Sequence, residues 1–154
     1  MQLRIMRRIP LQEVNNRVTE LEEKYNEALE DIPELFAESR IKAEAFEDYV
    51  EWIGMIHALR AYSEGEDFEY FKEEVIELNR DSISQLTPRR MELLDFLSEN
   101  RVGSINELAN RINRDIKNVY NDVKALEELQ FISLTREGRR FIPELLAQEI
   151  TLLL

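Results

Sequence analysis

The chain has 154 residues, 44% of them hydrophobic and 34% charged, with 20 lysines and arginines against 32 aspartates and glutamates, a formal charge of −12. That composition supports a packed core and excludes a disordered polar chain. With no cysteine and one histidine, His57, it also excludes disulfides, thiol catalysis, Cys-type zinc sites and multi-histidine metal centres.

The four glycines fall in no phosphate-binding frame. No apolar run approaches the ~18 residues of a membrane span. Met1–Pro10 has arginines but no apolar signal region. These features point to a cytoplasmic, cofactor-free protein with no membrane partner, and scattered carboxylates give no support to an enzyme. The charge is uneven: residues 1–85 hold 10 basic and 21 acidic residues, whereas residues 86–154 hold 10 and 11. Such asymmetry suggests two jobs in one chain.

In chain order, Leu3 and Ile5 alternate ahead of Arg7 and Arg8, which reads as either a short strand or a basic arm. Pro10 suits the first turn of a helix. Leu11, Val14, Val18, Leu21, Tyr25 and Leu29 then form a helical stripe. Asp31-Ile32-Pro33 breaks it, and a short helix restarts at Pro33. The stretch from Ala43 to Tyr62 is apolar on too wide a face for a lone surface helix, so it packs on two sides or meets a partner. Tyr49, Trp52, Ile53 and Ile56 are its candidate partner or dimer interface. Asp48 with Glu51, and Glu44 with Glu47, read as solvated carboxylate pairs, and His57 as a structural histidine. Val75, Ile76 and Leu78 belong to a strand or a helix end. Polar Asn79–Ser84 marks the domain boundary.

Local signals then sharpen. Thr87-Pro88 is an N-cap followed by proline at the first helical position, with Met91, Leu93, Leu94, Phe96 and Leu97 facing a core. Ser104 and Glu107 form a capping box for a short second helix. Asn113-Arg114-Asp115 is a tight connection. The third helix buries Ile116, Val119, Val123, Leu126 and Leu129. Phe131–Leu134 and Arg140–Ile142 are strands around a hairpin turn at Arg136–Arg139, with Pro143 ending the second.

Helix, short helix, turn, helix and hairpin is the order of a winged helix-turn-helix. The third helix leaves Lys117, Asn118, Tyr120, Asn121 and Lys124 outside its apolar side, a set suited to the DNA major groove. Arg136, Arg139 and Arg140 form the wing. Ser104, Arg111 and Arg114 suit phosphate anchoring.

The runs Leu86–Leu94, Ser104–Ala109 and Asn113–Leu129, with Glu149–Leu152 at the end, resemble a family of archaeal and bacterial predicted transcriptional regulators with a MarR-like winged helix-turn-helix. The resemblance implies DNA binding with the third helix in the major groove. Gln130 stands where that family usually has glycine. Asp48-Tyr49-Val50-Glu51-Trp52, within Phe46–Trp52, is similar to a short pattern in small archaeal antitoxin-like proteins, which implies a front half able to grip a basic toxin.

The expected architecture is therefore mainly α with a small β wing. An acidic helical region, residues 1–80, serves dimerisation or partner binding, and a winged helix-turn-helix, residues 81–154, binds double-stranded DNA. The expected function is a homodimeric transcriptional regulator. The alternatives are an antitoxin that holds a toxin and represses its own operon, and a winged-helix protein–protein adaptor that never meets DNA.

Overall fold

The computed structural model describes residues 1–25 and 43–154. The expected break at Asp31-Ile32-Pro33, the helix restarting at Pro33, Leu29 of the first stripe and the side chain of Glu44 lie outside them. The described elements are β1 (Gln2–Arg8), α1 (Leu11–Tyr25), α2 (Ala43–Ser63), β2 (Phe71–Glu77), α3 (Arg80–Ser84), α4 (Pro88–Glu99), α5 (Ile105–Arg111), α6 (Ile116–Glu128), β3 (Ile132–Glu137), β4 (Arg140–Leu145) and β5 (Ala147–Leu153). Among the described residues no helix is long and apolar enough to cross a membrane.

The expectation of a mainly α chain is corrected. Of the described residues 53% are helical and 24% are strand, in six helices and two antiparallel sheets. Beside the two-stranded β3–β4 hairpin stands a three-stranded sheet in the order β2-β1-β5. β1 is the central strand of that sheet, so of the two readings of this segment the strand holds and the basic arm does not. Its inward positions are Leu3, Ile5 and Arg7, all buried. An arginine on the inward face hides the period-two pattern that marks a strand. Arg7 is accommodated by Glu74, 3.2 Å away, while Arg4 and Arg8 pair with Glu73 and Glu144. β5 pairs antiparallel with β1, from Gln2↔Leu153 to Arg7↔Ala147, with a register shift after Met6.

The division of the chain also differs from the boundary placed at residue 80. Met1–Arg8 and Lys72–Leu154 form one compact unit, and Ile9–Phe71 forms the other. Segment 79–84 is a capped helical turn, with Asn79 Oδ1 accepting from Ser82 N at 2.8 Å.

In the first unit, α4, α5 and α6 pack around Leu93, Leu97, Leu108, Val119, Val123 and Leu126. Phe131 is fully buried at the centre of this core. Its N–H donates to Leu126 O and its carbonyl accepts from Leu146 and Ala147, so one residue ties the end of α6 to the start of β5. Met91 and Ile116, expected in the core, are 44% and 45% exposed. Ile116 opens α6 right after the cap, off the centre of its buried face.

The hairpin turns through Gly138-Arg139, between the paired residues Glu137 and Arg140. Gly138 has φ +62, a positive angle at the first turn position that glycine takes without strain. Pro143 does not end β4; it pairs with Leu134 inside the strand. Counting pairs from the turn places it at a non-hydrogen-bonded position, where its missing N–H costs the ladder nothing.

In the second unit, α1 and α2 enclose Val14, Val18, Leu21, Trp52 and Met55. Above that core Asp48 is buried, not solvated as expected. It accepts from Arg17 at 3.2 Å, Lys24 at 2.7 Å and Tyr25 Oη at 2.7 Å. Glu51 accepts from Arg17 Nε at 2.6 Å. Burial pushes the Asp48 carboxyl up, but the hydrogen bonds from Lys24 and Tyr25 and the nearby cations outweigh it and hold it below the ordinary carboxylate range.

Candidate nucleic-acid interface

The turn between α5 and α6 is built from local chemistry. Ile112 caps α5 and Asn113 follows with φ +52. Asn113 N donates to Asn110 O and Arg114 N to Ala109 O, which satisfies the last carbonyls of the helix. Asparagine tolerates this left-handed conformation better than most side chains. Asp115 then caps α6, its carboxylate accepting from Asn118 N at 3.2 Å. The spacing fixes how α6 leaves the turn and which side it turns outward.

That outward side carries Lys117, Asn118, Tyr120 and Asn121, all exposed, opposite buried Val119, Val123 and Leu126. Among the described residues Lys117 forms no ion pair, and the amides of Asn118 and Asn121 make no side-chain hydrogen bond. Lys124, at the end of the same face, is tied to the Glu127 carboxylate three residues on. That hydrogen bond raises its pKa. It is thus the most encumbered of the five expected groove residues.

The hairpin lies beside this face. Tyr120 meets Phe141 of β4 edge to face, with ring centroids 6.5 Å apart. Arg136 Nε donates to Gly138 O at 3.1 Å, and its guanidinium lies 5.9 Å from the Phe141 ring centre. Arg139 and Arg140 are exposed at the turn. Segment 101–141, which contains α5, α6 and most of the hairpin, has eight basic and six acidic residues within a chain of charge −12.

The three expected phosphate anchors are engaged within the fold. Ser104 Oγ accepts from Glu107 N at 3.0 Å as the cap of α5, and the Glu107 carboxylate accepts from Gly103 N. Arg111 donates to Asn100 Oδ1 at 2.9 Å and Arg101 O at 3.1 Å, and lies over the Phe96 ring. Arg114 has a side chain only 15% exposed and pairs with Asp122, which Arg90 also contacts at 3.0 Å. Arg114 is therefore a brace between the turn and α6, not a free cation for a backbone phosphate.

Of the expected partner surface on α2, Trp52 is corrected. Trp52 is fully buried in its own unit, stacked on Tyr25 at 6.1 Å. Tyr49 and Ile56 pack partly buried against the same core, and Ile53 is half-buried. The Asp48–Trp52 motif thus joins α1 to α2: Asp48 and Glu51 hold Arg17, and Trp52 fills the core.

Two contributors to the outward face were not expected. The helical stripe places Ile116 in the core, and the hairpin sequence gives Phe141 no role beyond its strand. Ile116 directly follows the helix cap, a position where burial is often incomplete. For Phe141, nothing in the hairpin sequence marks which strand face meets α6. Among the described residues no three His, Cys, Asp or Glu side chains are placed to hold a metal ion.

Residues 85–152, running from before α4 into β5, match the HVO_A0114 family. No MarR or antitoxin family matches. No curated protein matches the chain.

Proposed function

We propose that this protein is a sequence-specific DNA-binding transcriptional regulator that places α6 in the major groove and the β3–β4 hairpin along the flanking backbone. One observation carries the reading. Among the described residues, the side chains of Lys117, Asn118 and Asn121 stand exposed and without internal partners on one face of α6, beside the exposed arginines Arg136, Arg139 and Arg140, in a protein that is otherwise acidic.

The chemistry suits the groove. An asparagine amide pairs with adenine N6 and N7, and a lysine reaches guanine O6 and N7 or a phosphate. Guanidinium groups at and beside a hairpin tip reach phosphates or the minor groove. Two copies would present two such faces to two half-sites, which is how one small module gains specificity. The absence of cysteine suits action in the reducing cytoplasm.

The test separates base reading from backbone contact. A duplex from the protein's own upstream region is tiled with single base-pair changes and titrated with the full chain, Asn121→Ala and Arg139→Ala. Asn121→Ala is expected to relax discrimination at one base pair by about 1–3 kcal/mol. Arg139→Ala is expected to weaken every duplex alike. Equal losses on every duplex from both substitutions would reject the assignment of α6 to base reading.

A further inference from the structure

Three large apolar side chains remain exposed on the face assigned to DNA: Ile116 at 45%, Tyr120 at 39% and Phe141 at 38%. They are contiguous. Ile116 and Tyr120 lie one helical turn apart on the same flank of α6, and Tyr120 contacts Phe141 across to β4 at 6.5 Å. Polar groups surround them. Lys117 and Asn121 are adjacent to them on the helix, and the Arg136 guanidinium lies over the Phe141 ring.

This mixture argues about the occupant. The core of a protein–protein interface is enriched in aromatics and arginine but depleted of lysine. Here Lys117 directly follows Ile116 and the Asn121 amide directly follows Tyr120, so a lysine and an amide interleave with the apolar side chains. The major groove of DNA presents the matching mixture: hydrogen-bonding base edges, and one apolar group, the C5 methyl of thymine. The net positive segment 101–141 adds charge complementarity to the phosphates.

We propose that Ile116, Tyr120 and Phe141 read thymine through its C5 methyl group, beside an adenine read by Asn121, so that the protein selects A·T base pairs. The inference rests on the DNA-binding reading above and goes beyond it by naming which base pairs are selected and by what contact.

The experiment uses the full chain and defined duplexes: alternating dA-dT, the same with uracil for thymine, alternating dI-dC, and dI with 5-methylcytosine. Uracil removes only the methyl; 5-methylcytosine supplies one in the same groove. Affinity for the uracil duplex is expected to fall about 4-fold for each thymine methyl that the protein covers in the native complex. The 5-methylcytosine duplex is expected to bind more tightly than dI-dC. Ile116→Ser and Tyr120→Ser alter exposed positions, and their folding is checked by circular dichroism. Each is expected to lose more affinity for the thymine duplex than for the uracil duplex, so that the ratio between the two shrinks toward one.

Equal affinity of the native chain for the thymine and uracil duplexes would overturn the inference and leave the DNA-binding reading standing. Binding to none of the four duplexes, nor to the upstream duplex, would overturn both and assign the patch to a protein partner.

Discussion

Arg114 Nη2 lies 2.6 Å from Asp122 Oδ2, and Arg90 Nε lies 3.0 Å from the other oxygen of the same carboxylate. One partly buried acid on α6 thus holds an arginine from the preceding turn and another from α4, fixing the exit angle of the helix whose far side faces outward. Removing Asp122 leaves two guanidinium groups in a place built for a carboxylate. Asp122→Ala is expected to cost about 2–4 kcal/mol of stability, measured by denaturant unfolding. Arg114→Ala is expected to lower the thermal midpoint and leave the salt dependence of DNA binding unchanged. Arg139→Ala is expected to do the reverse, reducing the slope of log affinity against log salt by about 1. A salt slope reduced by Arg114→Ala would return that residue to the phosphate-binding set.

Gln130, two residues past the end of α6 and directly after its C-cap Leu129, has φ +60. Its N–H donates to Glu127 O, and Phe131 N to Leu126 O, the double bond pattern that ends a helix on a left-handed residue. Glycine takes this conformation without a Cβ penalty, whereas glutamine is strained there. The helix end that glycine most often closes is therefore formed here with a side chain attached. Gln130→Gly is expected to stabilise the unit by about 0.5–1 kcal/mol, since strain relief outweighs the greater freedom of glycine in the unfolded chain. A lower thermal midpoint for this variant would show the strain to be absent. Asn113→Gly at the other such turn is expected to change little.

The Asp48 cluster makes the second unit acid-sensitive. Its carboxyl is held below the ordinary range by Lys24, Tyr25 and Arg17. The ionised form therefore stabilises the fold, fully above the unfolded value near 3.9, and this contribution is lost as pH falls through the lower folded value. Asp48→Asn is expected to cost about 1–3 kcal/mol at neutral pH. The gap to the native chain is expected to close progressively as pH falls below about 4. Trp52, the one tryptophan, is buried against Tyr25, so its fluorescence reports this unit. A gap that persists unchanged to the acid limit would contradict the ion-pair origin.

What the sequence showed divides along the range of the interactions. The caps at Thr87, Ser104 and Asp115 are local, each side chain accepting a backbone N–H three residues on. They were legible, and with them the helices α4 to α6, the connection between α5 and α6, and the hairpin. The three-stranded sheet was legible only as separate, ambiguous segments, Leu3 and Ile5 and Val75–Leu78, each with a non-strand alternative. Its β1–β5 pairing joins Gln2 to Leu153, and Arg7 on the inward face breaks the strand pattern. The split of the chain at residues 8 and 71 follows from that pairing, so it was illegible. On the candidate face, the exposed positions of Lys117, Asn118 and Asn121 followed from helical geometry. The capture of Arg114 by Asp122 and the meeting of Tyr120 with Phe141 depend on how elements pack, which periodicity does not encode.

The most direct measurement is fluorescence anisotropy of the full chain with a duplex from its own upstream region and a shuffled duplex of equal composition, each at two salt concentrations. A regulator reading bases through α6 binds the upstream duplex at least 10³-fold more tightly, on the order expected for specific over non-specific sites, with affinity falling as salt rises. Equal binding of both duplexes, or none to either, would contradict a DNA-reading function and make the outward face of α6 a protein-docking surface.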